Sequence, residues 1–505
     1  MTRTERVVVV GAGMVGHRFT EELARRDPQG RFEIHLVGAE DYAPYNRILL
    51  SDVLAARCDL AALTMPEPDP ERVSFHRGTA VVGVDRAAGE VELSHGHRLP
   101  FDHLVLATGA RAFVPPVPGL REGLPRHTHV LRTLDDCRDI AARALNARHA
   151  IVLGGGLLGL EAACGLVRRG VLVTLLDVDD HLAKTQLDAV PAAVLAASLG
   201  DLGIDVRVGT SVTEVLAEDG ALTAVRLADG TTLPTDLLLV SCGVRARIDL
   251  ARAADLPCDQ GVVVGADLRS PADPRVAAIG DCAQPPEGGT GLLAPGWRQA
   301  ARLAAALVGQ AAPDAAAAGA PPVRLKAAGV DLVTMGMRGS EADPHTDRVV
   351  TLSDPGGRRH VELTVRDARL SGVTCLGAPD LAASLTVAFD RSTPLPADPL
   401  ALLLPERADD EGSPAMMPAR TPVCRCNGVT KGDIVAAWDE GAATVPEVAA
   451  ATRATTGCGG CRDLVCGLVD WLRDSDPTSQ PASGRGEKSV PAAQHEDAHA
   501  EISAT

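Results

Sequence analysis

The sequence predicts an α/β chain built on two dinucleotide-binding units, followed by a small α+β domain and a cysteine module. Three observations carry this. A strand, glycine turn and helix occur in succession twice, at Arg6–Glu22 (VVVV into GAGMVG) and at Ala150–Arg168 (AIVL into GGGLLG). The two starts bracket a β-rich stretch, so one unit reads as inserted into the other. Four of the twelve cysteines form two close pairs, Cys424/Cys426 and Cys458/Cys461. A length of 505 residues suits about three domains. Hydrophobic residues at 46% and charged residues at 23% are ordinary for a globular chain. Aromatics are only 2%, so the core is built from Ala, Leu and Val.

In the first unit Gly11, Gly13 and Gly16, with Ala12, Met14 and Val15 between them, separate a hydrophobic strand from a helix. Glycine allows the tight turn and close backbone approach, and the helix start stabilises a pyrophosphate. The next strand, FEIHLVG, ends at Ala39-Glu40, and an acid there can bind adenosine ribose hydroxyls, which nominates Glu40. In the second unit Gly154, Gly156 and Gly159 open a helix through Leu157 and Leu158. Asp177 ends the following strand 18 residues past Gly159. That spacing suits an acid on the ribose 2′-hydroxyl of NAD. Asp177 and Asp179–Asp180 would repel a 2′-phosphate, so NADH is expected over NADPH. The plainer alternative is that Asp177 caps a loop.

The cysteine module has Cys424-x-Cys426, a gap of 31 residues, then Cys458-x-x-Cys461. Four thiolates from two loops can hold Zn²⁺ or a [2Fe–2S] cluster. The tight CxC is atypical of structural zinc, and Gly428, Gly457, Gly459 and Gly460 would let backbone N–H groups approach bridging sulfides. The remaining eight cysteines read as small buried hydrophobes.

Net charge is −17, which disfavours nonspecific attraction to nucleic acid or an anionic membrane. No run of about 18 apolar residues exists to span a bilayer. The first residues lack signal-peptide anatomy. The expectation is a cytoplasmic protein with no nucleic-acid or membrane partner. Composition divides the chain into a first nucleotide domain (1–115 and 245–312), an inserted second (116–244), a small α+β domain (322–390), a linker (391–420), the cysteine module (421–474) and a disordered tail (475–505).

Downstream, VAAIGDCA ends an apolar strand in Gly280-Asp281. With LVLATGAR, YNRILLS and the second glycine motif, it makes the sequence resemble the FAD/NAD-linked pyridine nucleotide oxidoreductases. The resemblance implies two Rossmann-like domains, with FAD at the first site and NAD(H) at the second. It places Asn46, Arg47, Val81, Ala107, Thr108, Gly109 and Asp281 at FAD, beside the glycine turn and Glu40. It places Glu161 at the nicotinamide and Gly243 at NAD; a solvated helix charge is the plainer reading of Glu161. Disulfide reductases of this superfamily carry a CxxxxC pair beside the flavin, and none lies there in this sequence. Ferredoxin-reductase relatives often follow the YNRILLS serine with lysine, where this chain has Asp52. Hydride is expected to pass directly to the flavin, with no catalytic side chain.

CRCNGVTKGDI and TGCGGC resemble the bacterioferritin-associated ferredoxin-like domain, which implies a small helical [2Fe–2S] module. The domain order is similar to the nitrite reductase large subunit and the assimilatory nitrate reductase electron-transfer subunit. No cysteine follows Cys466, so the sequence is expected not to hold a sirohaem-coupled [4Fe–4S] cluster. The resemblance implies electron flow from NADH through FAD and [2Fe–2S] to a separate redox protein, with a nitrate reductase catalytic subunit suspected. An acceptor such as nitrite reductase, rubredoxin or ferredoxin would keep the same chemistry. An NADH oxidase with a zinc-stabilised docking module is the alternative of another class.

Overall fold

The computed structural model describes residues 4–289, 291–311, 322–403, 417–424, 427–457 and 459–475. Cys426, Cys458, part of the expected linker and nearly all of the expected tail lie outside these. The run VVVV becomes the strand Glu5–Val10, whose Val7, Val8 and Val9 are fully buried. Burial on both faces is what a parallel sheet between helices requires. The strand pairs in parallel with Phe32–Gly38 on one side and His103–Leu106 on the other, so Val8 meets His35 and Leu104. The full order is 269–270, 273–278, 103–106, 5–10, 32–38, 73–77. The chain therefore reverses direction at the carboxyl end of Glu5–Val10, where open α/β sheets bind ligands.

The inserted unit repeats this design. Its five parallel strands run 204–207, 172–176, 149–153, 237–240, 128–130. Behind it, five antiparallel strands between 323 and 376 pack against the helix Pro379–Asp390. Among its described residues the cysteine module has a two-strand hairpin and three helices, Lys431–Asp439, Val445–Thr452 and Arg462–Ser475. Its first two helices start at capping boxes, Thr430 with Asp433 and Thr444 with Glu447. Each box satisfies helix-start N–H groups and the cap's own amide. Among the described residues no helix is long and apolar enough to cross a membrane.

Two buried histidines set a pH limit on this fold. His17 is fully enclosed, with Nε2 2.9 Å from the Pro66 carbonyl, and His360 is 1% exposed. Burial lowers both below the usual 6.5. The unfolded chain then binds more protons as pH falls, so their stabilisation is whole above about pH 6.5 and is lost below it. The thermal midpoint is expected to drop between about pH 7 and 5.5, with a shallower slope in His360→Gln. An unchanged slope in that variant would remove His360 from the explanation.

Candidate functional site

A cleft of about 3100 Å³ opens at the carboxyl end of the first sheet. Gly11 has φ +116°, and a Cβ there would stand 2.2 Å from the Ala107 carbonyl oxygen. A Cβ on Gly16 would stand 2.0 Å from the Gly11 carbonyl oxygen, so the helix Met14–Arg26 settles directly onto the turn. That helix is N-capped by Gly13 with no side-chain acceptor, which aims its unsatisfied amides at the cleft.

Of the residues expected at the flavin, all but Gly16 line this cleft. Arg47 crosses it at Gly13, with Nε 3.8 Å from where a Cβ would be. Its guanidinium pairs with Glu40, donates to the Arg132 carbonyl at 3.1 Å and covers the Tyr45 ring at 4.7 Å. The Tyr45 hydroxyl donates to Glu40 at 2.6 Å and accepts from the Leu134 amide at 3.0 Å. Burial raises the Tyr45 pKa, so it stays a donor. Both Glu40 oxygens are thus engaged by protein groups. Arg132 reaches Asp281 at 3.2 Å. The Thr108 hydroxyl donates to the Arg247 carbonyl at 2.8 Å. Asn46, 3% exposed, donates its amide to the carbonyls of Thr456 (2.7 Å) and Gly457 (2.5 Å) in the cysteine module.

The second glycine turn follows the same geometry. Gly154 has φ +113°, with a Cβ 2.4 Å from the Ser241 carbonyl oxygen, and Gly156 caps its helix in open space. Asp177 accepts from the Gly155 amide at 2.6 Å and from the Asp179 amide at 3.0 Å. Its carboxylate therefore braces the loop, as the plainer reading has it. Gly243 (φ +91°) accepts from the Phe113 amide at 2.9 Å and does not line the cleft. Leu157, Leu158 and Glu161 do line it. Glu161 is 7% exposed, which excludes a solvated helix charge. It accepts from the Ser51 hydroxyl at 2.5 Å and from the Lys326 amide at 3.0 Å, with Lys326 Nζ at 3.4 Å. Lys326 Nζ also lies 3.1 Å from Ser51 and 3.3 Å from Asp52. Sequence reasoning missed Lys326. The signal was its rarity, because Lys184, Lys326, Lys431 and Lys488 are the chain's only lysines.

In the module, Cys424 and Cys461 are buried, at 0% and 7% exposure. The Thr455 amide donates to Cys461 Sγ at 3.3 Å, and the Asn427 amide lies 3.7 Å from Cys424 Sγ. Donors aimed at thiolate sulfur suit an iron–sulfur centre. Cys466, expected on a buried face, is instead half-buried and lines the cleft. The two uncapped helix starts, bare of side chains at Gly13 and Gly156, suit two pyrophosphates.

Comparison with known proteins agrees. A model of the pyridine nucleotide-disulphide oxidoreductase family matches residues 5–308, and one of the BFD-like [2Fe-2S] binding domain matches 422–471. The nitrite reductase [NAD(P)H] large subunit of Klebsiella oxytoca is 36% identical, over 92% of this chain and 49% of its own length. The assimilatory nitrate reductase electron transfer subunit of Bacillus subtilis is 31% identical, over 95% of this chain and 61% of its own. The chain thus spans about half to three fifths of these curated relatives. Among solved structures, the covalent putidaredoxin reductase–putidaredoxin complex matches with TM-score 0.69 and 27% identity, over 79% of this chain and 96% of that one.

Proposed function

The chain belongs to the pyridine nucleotide-disulphide oxidoreductase family, and we propose that it oxidises NADH and relays the electrons to a separate redox protein. It is an NAD(P)H-dependent flavin oxidoreductase whose cofactors are FAD, NAD(H) and a [2Fe–2S] cluster. The relay rests on one observation above others: the first glycine turn, Leu157, Leu158 and Glu161 of the second glycine helix, and the cysteine module all border the same cleft. FAD, when bound, takes a hydride as an electron pair and can release the electrons singly, which a [2Fe–2S] centre requires.

The chain's own residues supply position and charge. The helix starts at Gly13 and Gly156 would hold the two pyrophosphates, with Arg47 standing beside the first. Asp281, held by Arg132, would meet the flavin's ribityl side. Glu161 and Lys326, neutralising one another, stand at the nicotinamide. Cys424, Cys426, Cys458 and Cys461 hold the cluster. NADH is preferred because a 2′-phosphate would meet Asp177, Asp179 and Asp180. The nearby Lys184 is already paired with Asp179 (3.1 Å) and Asp180 (3.2 Å). The acceptor is a nitrate reductase catalytic subunit, as the relatives' names suggest; nitrite reductase is the second reading.

Anaerobic NADH titration of the iron-loaded protein tests the relay. The expected result is flavin bleaching followed by the EPR signal of a reduced [2Fe–2S] cluster. Flavin bleaching with zinc in the module and no EPR signal would sink it.

A further inference from the structure

The five residues before Cys458 are held from two sides. From within the module, Asn427 donates to the Arg453 carbonyl at 2.6 Å and to the Thr456 hydroxyl at 3.2 Å. Arg453 ends the helix Val445–Thr452 in the left-handed conformation, φ +65°, which turns the chain toward the ligand segment. From the flavin unit, Asn46 donates both amide hydrogens to Thr456 and Gly457 while its own oxygen caps the Ile48 amide at 3.1 Å. Its three hydrogen bonds tie the turn that walls the flavin cleft to the residue adjoining Cys458. Beside it, Arg453 makes a two-pronged contact with Glu21 on the first helix, at 2.8 and 2.5 Å. Gly459, φ +77°, lies so close to Leu49 that a Cβ would stand 3.2 Å from its Cδ2.

We propose that Asn46 and the Glu21–Arg453 pair are positioning residues that clamp the cysteine module onto the flavin wall, so that the cluster receives electrons at a fixed contact and not from a swinging tether. The proposal rests on the relay reading above. The two parts of the clamp differ in weight. Arg453 is 42% exposed, so its pair is screened and modest by itself. Asn46 is buried, and its removal takes a donor from two carbonyls at once.

The test uses the full chain loaded with flavin and cluster, in Asn46→Ala, Arg453→Glu, and Arg453→Glu combined with Glu21→Arg. Hydrogen–deuterium exchange at residues 455–461 reads docking without any activity. Anaerobic stopped-flow with NADH separates flavin reduction from cluster reduction. Exchange is expected to rise roughly tenfold in Arg453→Glu and further in Asn46→Ala. Cluster reduction should slow by a similar factor in Arg453→Glu while the flavin phase is unchanged, and the charge swap should restore most of both. Glu21→Gln, which alters no module residue, serves if Arg453→Glu loses its cluster. Unchanged exchange in Asn46→Ala and Glu21→Gln would overturn the clamp. So would raised exchange with an unaltered cluster phase. If NADH fails to reduce the wild-type cluster at all, the relay reading falls, while the exchange arm still decides the clamp.

Discussion

Cys461→Ser is expected to remove the cluster and leave NADH-dependent reduction of the flavin intact. Cys461 and Cys424 sit in the module's small core with Val423, Val429, Ile434 and Val448. With two of the four expected ligands built into that core, metal binding and folding of the module should be coupled. Outer-shell changes at metal sites already cost about 10–100-fold in affinity, and loss of a ligand should exceed that. The visible cluster band and EPR signal should disappear, with proteolysis opening at 422–471. Cys375→Ser is the control. Burial pushes that thiol up to about 11, so it holds no thiolate for a metal and its loss should leave iron content unchanged. Iron retained at wild-type levels in Cys461→Ser would refute the ligand assignment.

Gly11→Ala and Gly154→Ala separate the two nucleotide sites. Each alanine would adopt a positive φ that L side chains resist, and each Cβ would meet a carbonyl oxygen at 2.2 or 2.4 Å. Strain of about 1–3 kcal/mol and overpacking of about 1–3 kcal/mol act together at a turn with no room to move. Gly11→Ala should yield protein without flavin. Gly154→Ala should keep its flavin, still bleached by dithionite, yet lose at least roughly a hundredfold in NADH reactivity, the equivalent of about 2.7 kcal/mol. The flavin-to-protein absorbance ratio and NADH-dependent bleaching read the two effects apart. Full flavin content in Gly11→Ala would show that the first turn does not carry it.

The glycine turns and the cysteine pairs were legible because their chemistry is local. A strand, three glycines and a helix fold into one geometry wherever they stand, and CxC with CxxC limits itself to a few metals. What sequence could not show is where long side chains spend their hydrogen bonds. Asn46 sits in a segment that resembles flavin-binding ones, yet its amide reaches a loop 410 and 411 residues away. Asp177 stands at the spacing of a ribose ligand, and its carboxylate also braces Gly155. Trp297 is 5% exposed and donates to the Met14 carbonyl at 3.2 Å, steadying the first turn of the glycine helix from 283 residues away. Lys326 follows a short edge strand that carries no motif, and only the tertiary fold brings it to Glu161.

That last meeting limits how such chains can be recombined. Ser51, Glu161 and Lys326 come from three segments that look separable on paper, yet they share one buried charge balance. A chimera that imports residues 322–390 from a relative lacking a lysine at this place would strip Glu161 of its buried cation and leave Asp52 with Arg57 alone. Exchange of parts among relatives is therefore free only at the level of the gene; in the folded chain the three segments must be inherited as a set.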